Sequence, residues 1–151
     1  MVPTRVELAE RQFVPDHHYL LEPHHERSHA RHRAYFASLN EAWSSLAVDD
    51  FPTPEHLRKF SLIRTGFYDE RVLVCKTAAE AERAAAFMRP LDGFAVVIRD
   101  DNLVRVETAK SQSYKTMGRD EFYRSMDAVL DYVAGLLGVP KDVLEAQGEM
   151  A

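Results

Sequence analysis

The spacing of apolar and polar positions changes several times along the chain, and each change marks an element. Val2, Thr4, Val6 and Leu8 alternate with polar residues, the period-two pattern of a strand, and Pro15, Pro23 and the histidines between and after them make the next stretch irregular. From Phe36 the period lengthens. Phe36, Leu39, Trp43 and Leu46 fall three and four apart, which predicts a helix with that face buried, Ser28 as its N-cap and Asp49-Asp50 with Pro52 as its end. Thr53-Pro54-Glu55 combines a capping hydroxyl with proline at the first helical position, so a second, shorter helix buries Leu57 and Phe60 and stops at Gly66.

Arg71 to Lys76 reads as a strand, and Thr77-Ala78-Ala79-Glu80 is a capping box that opens an alanine-rich helix halted by Pro90. Phe94 to Arg99 and Leu103 to Thr108 flank Asp100-Asp101-Asn102, residues that tolerate the left-handed conformations of a tight turn, and so predict a β-hairpin. A last long helix spans about Arg119 to Leu137. Phe122, Met126, Val129, Val133 and Leu136 form its apolar face, Asp120 and Glu121 suit its positive N-terminal end, and Gly138 and Pro140 close it. A tight turn makes its two strands antiparallel, so the pattern predicts an α+β fold: a small, mainly antiparallel sheet, with the hairpin near residues 94–108, packed against three to four helices. The expected organisation is one domain, with a strand and a His-containing irregular segment over 1–24, the main body over 27–138 and a short helix and tail over 139–151.

Composition adds limits to this picture. The chain has 151 residues, of which 46% are hydrophobic and 28% charged, enough to fill the core of one domain. It has no apolar run near the roughly 20 residues that span a bilayer, and its charged N-terminus does not suit a secretory signal, so a cytoplasmic protein is expected. The single cysteine, Cys75, lies in an apolar run and is expected to be a buried, inert thiol. A net charge of -5 argues against coating duplex DNA by bulk electrostatics, so any nucleic-acid site must be local.

Six of the seven histidines lie between His17 and His32, and three readings of their cluster compete. Extended backwards, the first helix carries His25, His29 and His32 on the stripe of Phe36, so His29 and His32 could share a metal, although no carboxylate or cysteine stands at a spacing that would complete the site. Alternatively, the two imidazoles cover the end of the apolar face. The third reading takes the arginines: Arg27 and Arg31 lie four apart, Arg33 is nearby, and a helix N-terminus offers free amides to an anion. Glu22 and Glu26 would partly neutralise such a face.

The run Lys110-Ser111-Gln112-Ser113-Tyr114-Lys115-Thr116-Met117-Gly118-Arg119 has three cations and no acid, the residue types that contact phosphates, with Tyr114 able to stack on an unpaired base; a polar loop capping the last helix would look the same. Glu107 and Lys110 superficially resemble part of a nuclease metal motif. They stand three apart on a predicted strand and point oppositely, so a metal-dependent nuclease is only the weaker alternative. No Gly-rich phosphate loop, paired-cysteine zinc motif or nucleophile elbow occurs, and no cofactor is expected.

Arg27-Ser28, His32-Arg33 and Tyr35-Phe36-Ala37-Ser38-Leu39-Asn40 resemble the opening signature of a phage-encoded family of domains of unknown function. The resemblance continues in His56-Leu57-Arg58-Lys59, Thr65-Gly66-Phe67-Tyr68 and Ala109-Lys110-Ser111-Gln112-Ser113-Tyr114, with Met117 and Glu121-Phe122. The first block is also distantly similar to the NinB (Orf) recombination proteins of lambdoid phages, which bind single-stranded DNA and assist recombination as dimers; those would have Asn where this chain has His32. The resemblance implies a phage or prophage product of DNA replication or recombination in the bacterial cytoplasm. Combined with the two basic segments, it gives the expectation of a non-enzymatic accessory protein that binds single-stranded nucleic acid. The residues expected to do so are Arg27, Arg31 and Arg33, then Arg58 and Lys59, then Lys110 and Lys115, with Tyr114 stacking. The alternative is a structural or protein-interaction module whose surface makes a homo-oligomer or contacts host or phage replication proteins.

Overall fold

The computed structural model describes residues 29–46, 49, 51–113 and 115–150. Their elements are α1 (His29–Ser45), α2 (Pro54–Arg64), β1 (Tyr68–Val74), α3 (Ala78–Met88) with a 3-10 turn Arg89–Leu91, β2 (Val96–Asp100), β3 (Leu103–Ala109), α4 (Arg119–Leu137) and α5 (Lys141–Met150). This is an α+β fold. The expected strand at Val2 to Leu8, the histidines before His29 and the Ser28 cap lie outside the described residues. Among the described residues no helix is long and apolar enough to cross a membrane.

Local chemistry sets most of the boundaries. The Thr53 side chain accepts from the His56 amide at 3.3 Å and Pro54 occupies the first turn of α2. Thr77 accepts from the Glu80 amide at 3.1 Å, but Glu80 reaches one residue further back than a capping box requires and accepts from the Lys76 amide at 3.0 Å. α4 ends at Gly138, whose φ of 70° is the left-handed conformation that a side chain would resist.

The sheet has the order β1-β3-β2, antiparallel throughout. Asp100 pairs with Leu103, so the hairpin turns on Asp101 and Asn102, with Asp101 at φ 51°. Asn102 also fastens the turn to the end of β1: its side-chain amide donates to the Cys75 carbonyl at 3.0 Å, and the Cys75 amide donates to the Asn102 carbonyl at 2.8 Å. Cys75 is half-buried, not fully buried as its apolar run predicts, because β1 is an edge strand. α3 lies over β2 and β3, packing Ala81 and Ala85 on Val104 with Val97 and Val106 around them. Val72, Leu73 and Val74 of β1 are left 52%, 41% and 68% exposed.

The larger core lies among the helices. Tyr35, Leu39 and Ala42 of α1, Leu57 and Leu62 of α2, Phe122, Met126, Val129 and Val133 of α4 and Leu144 of α5 are all essentially inaccessible. The buried arc of α1 is rotated from the predicted one: Tyr35, Ser38 and Ala42 join Leu39 inside, while Phe36, Trp43 and Leu46 are half-buried. The cause is α5, which crosses α1 so closely at Gly148 that a Cβ there would overlap Ser38 Oγ and come within 2.5 Å of the Ala34 carbonyl oxygen. The small Ser38 therefore goes inward at the crossing. On α4, Leu136 is 43% exposed, and Leu130 and Ala134 are buried in its stead.

Candidate functional site

α2 begins at its Thr53 cap, and from that start Glu55, Arg58 and Lys59 fall at i, i+3 and i+4 on one side of the helix. The Arg58 guanidinium makes two bonds to the Glu55 carboxylate, Nε to Oε2 at 2.9 Å and an Nη to Oε1 at 2.5 Å. Its remaining fork donates to Gln112 Oε1 at 2.6 Å, across to the segment that follows β3. Arg58 is only 12% exposed at its side chain. The two hydrogen bonds from Arg58 hold the Glu55 carboxyl below the usual carboxylate range, with Coulomb attraction from Arg58 and Lys59 adding to them against the opposing effect of burial.

Gln112 is the hub of a buried polar network. Its Oε1 also accepts from the Tyr35 hydroxyl at 3.2 Å, and its Nε2 donates to Ser125 Oγ at 2.8 Å, which in turn donates to the Phe122 carbonyl at 2.7 Å. A guanidinium can only donate, so the contact with Arg58 fixes which way the amide points. Burial pushes the Tyr35 phenol up to about 12, the hydrogen bond to Gln112 opposing that rise, so near neutral pH the hydroxyl is protonated and donates. The network joins α1, α2, α4 and the post-β3 segment at one point.

Over this network opens a cleft of about 470 Å³, walled by His32 and Phe36 of α1, Glu55, Arg58 and Lys59 of α2, Lys110 to Ser113, and Phe122. Its size is that of a small-ligand pocket. Three cations and one carboxylate line it. Lys59 Nζ stands 3.7 Å from Glu55 and 4.0 Å above the Phe94 ring, and Lys110 Nζ lies 3.6 Å from Glu121. These pairs are partly exposed and weak, so either ammonium can turn to an incoming anion at small cost. The floor is aromatic: the His32 ring lies 4.8 Å from Phe36 and stacks on Phe122 at 5.8 Å, and the Arg58 guanidinium is 5.9 Å from the Phe36 ring centre. An arrangement of this kind can hold a phosphate or carboxylate beside a flat apolar group.

Of the residues singled out from sequence, Arg58, Lys59 and Lys110 meet in this cleft. Arg31 and Arg33 do not. On a helix each is turned about 100° from His32, and both line a different groove of about 670 Å³ between α1, α4 and α5, where Glu145 and Glu149 also stand. There an Arg31 Nη lies 3.7 Å from Asp127, and its guanidinium sits 4.3 Å over the Tyr123 ring. Lys115 is exposed and lines neither cavity. Arg27 and Tyr114 lie outside the described residues. The second reading of the histidines, which has both imidazoles covering the apolar face, holds for His32, whose ring packs in the aromatic floor, and not for His29, which is exposed at the first position of α1. Among the described residues no group of three His, Cys, Asp or Glu side chains could hold a metal ion.

Gln112, Tyr35 and Ser125 are the residues that chemistry-by-type passed over. Nothing in their spacing marks them, although the Glu55-Arg58 pair is visible as an i, i+3 ion pair. No family model, curated protein or solved structure matches this chain.

Proposed function

We propose that the chain is a non-enzymatic accessory protein of phage DNA replication or recombination that binds single-stranded nucleic acid in the host cytoplasm, with the cleft of Lys59 and Lys110 as its point of attachment. The observation that carries this reading is the convergence of Arg58, Lys59 and Lys110 from two distant segments onto one cleft with an aromatic floor, in a chain of net charge -5. Phosphate contacts supply the affinity in such binding and aromatic faces the tolerance for any base. Arg58, committed to Glu55 and Gln112, acts as the organiser, and the two lysines as the phosphate ligands. The same cleft takes its walls from three of the blocks that carry the phage-family resemblance, at His32 and Phe36, at Arg58-Lys59 and at Lys110 to Ser113. The phage setting rests on that resemblance.

The test is fluorescence anisotropy of a labelled oligothymidylate across a salt series. Each phosphate neutralised on a single strand contributes roughly -0.7 to the slope of log affinity against log salt, so the Lys59→Ala, Lys110→Ala double variant should flatten the slope by about 1.4. Arg33→Ala, in the other groove, should leave it unchanged. Absence of binding at low salt, or a slope indifferent to the two lysines, overturns the proposal.

A further inference from the structure

Among the described residues β1 pairs on one edge alone, with β3. The amide of Cys75 donates to Asn102 and the carbonyl of Phe67 accepts from the Lys110 amide, so the backbone groups of the odd-numbered residues face β3. Backbone direction alternates along a strand, so those of Glu70, Val72 and Val74 point outward, where no strand pairs with them among the described residues. An open edge with three exposed apolar side chains invites another chain unless something covers it.

From these observations we infer that a second copy of this chain covers it, through an antiparallel β1–β1 pairing centred on Leu73 that continues the sheet to six strands. The occupant follows from complementarity. A two-fold axis perpendicular to the sheet keeps both faces in register, so each residue can oppose only one of like parity. Centred on Leu73, such an axis sets Val72 against Val74 twice and Glu70 against Lys76 twice. The strand reads Glu-x-Val-x-Val-x-Lys over 70–76, a pattern complementary to its own reverse. Centring on Arg71 would oppose two guanidiniums, and centring on Val72 would place Glu70 against Val74 and Arg71 against Leu73. Cross-strand apolar and opposite-charge pairs stabilise a sheet, and like charges directly opposed destabilise it. The ladder also has a built end, since the Lys76 amide is already taken by Glu80. In this dimer the two clefts, each beside the Phe67 end of β1, stand at opposite ends of the shared strand pair, with the two Tyr68 residues about 34 Å apart along it at a rise of about 3.4 Å per residue.

Sedimentation equilibrium without any ligand tests the association, and cross-linking tests the register. Leu73 opposes itself as a non-hydrogen-bonded pair, whose close Cα atoms suit a disulfide, so Leu73→Cys in a Cys75→Ala background should form a covalent dimer on mild oxidation while Val72→Cys in the same background should not. Glu70→Lys should weaken the dimer, and Glu70→Lys with Lys76→Glu should restore it; Glu70, Val72, Leu73 and Lys76 are exposed, Cys75 is half-buried, and circular dichroism checks that each variant keeps its fold. A chain that stays monomeric at the highest concentration it tolerates overturns the inference. So does a dimer that is indifferent to the charge exchange or links equally well through Val72→Cys. Neither result depends on nucleic-acid binding, so this inference and the proposed function fail separately.

Discussion

Replacing Gln112 with leucine tests whether the buried network is what holds the cleft together. Leucine is close to glutamine in volume, so the substitution leaves no large cavity and isolates the polar terms. In the variant the Tyr35 hydroxyl, 1% exposed as a residue, loses its acceptor, and the Arg58 guanidinium loses its bond to the post-β3 segment. A buried hydroxyl left without a partner costs about 1–3 kcal/mol, and a charged hydrogen bond about 1.5–3 kcal/mol; Ser125 keeps its bond to the Phe122 carbonyl and adds little. The expected loss is about 3–5 kcal/mol, read as a lower urea midpoint at unchanged slope. The sharper readout is the double-mutant cycle. Tyr35→Phe alone removes one neutral hydrogen bond and should cost about 1 kcal/mol, whereas in the Gln112→Leu background it removes an orphaned hydroxyl and should restore about 1 kcal/mol, a coupling of about 2 kcal/mol. If Gln112→Leu costs less than about 1 kcal/mol, or Tyr35→Phe costs the same in both backgrounds, the network does not hold the cleft together.

Two further outcomes follow from packing and charge. Gly148→Ala should lower the melting temperature, because overpacking at the α1 crossing costs about 1–3 kcal/mol and outweighs the helix-propensity gain of up to about 1 kcal/mol, while Gly135→Ala on α4, where a Cβ meets nothing, should raise it; a rise in both would refute the close crossing. Glu55 is held below its ordinary value of 4.5, so the stability it contributes is complete above that pH and is lost as the pH falls through its folded-state value. The advantage of the wild type over Glu55→Gln in urea midpoint should therefore shrink in acid, and an advantage constant from pH 6 to about pH 3 would exclude the Arg58 bond as its source.

The elements legible in the sequence are those whose limits are written by residues acting on their own neighbours. Thr53-Pro54, Thr77 with Glu80, Asp101-Asn102 and Gly138 each determine a local backbone geometry, and α2, α3, the hairpin and α4 stand where these residues place them. What depended on distant partners was not legible. The inward face of α1 is chosen by Gly148 at the far end of the chain, and β1 begins at Tyr68, earlier than its apolar run, because an edge strand can carry Asp69 and Glu70 outward. The site divides the same way. Arg58, Lys59 and Lys110 are recognisable by type as anion ligands, but type does not tell which cations share a surface, and it grouped Arg31 and Arg33 with them although those two line a different groove. Gln112 carried no signal, since a buried hub and a solvated loop amide look alike until the fold brings Arg58 and Tyr35 to it.

The strand order bears on how the molecule is assembled. β3, the last of the three strands in sequence, is the sheet's centre, so among the described residues β1 has no strand to pair with until residues 103–109 have been synthesised. The β2–β3 hairpin closes over two residues and can form quickly, whereas β1 must wait across the whole of α3 for its partner, the slower, non-local step. Until then the edge of Val72-Leu73-Val74 that β3 will cover is bare, so the stretch most open to wrong pairing is also the one exposed longest.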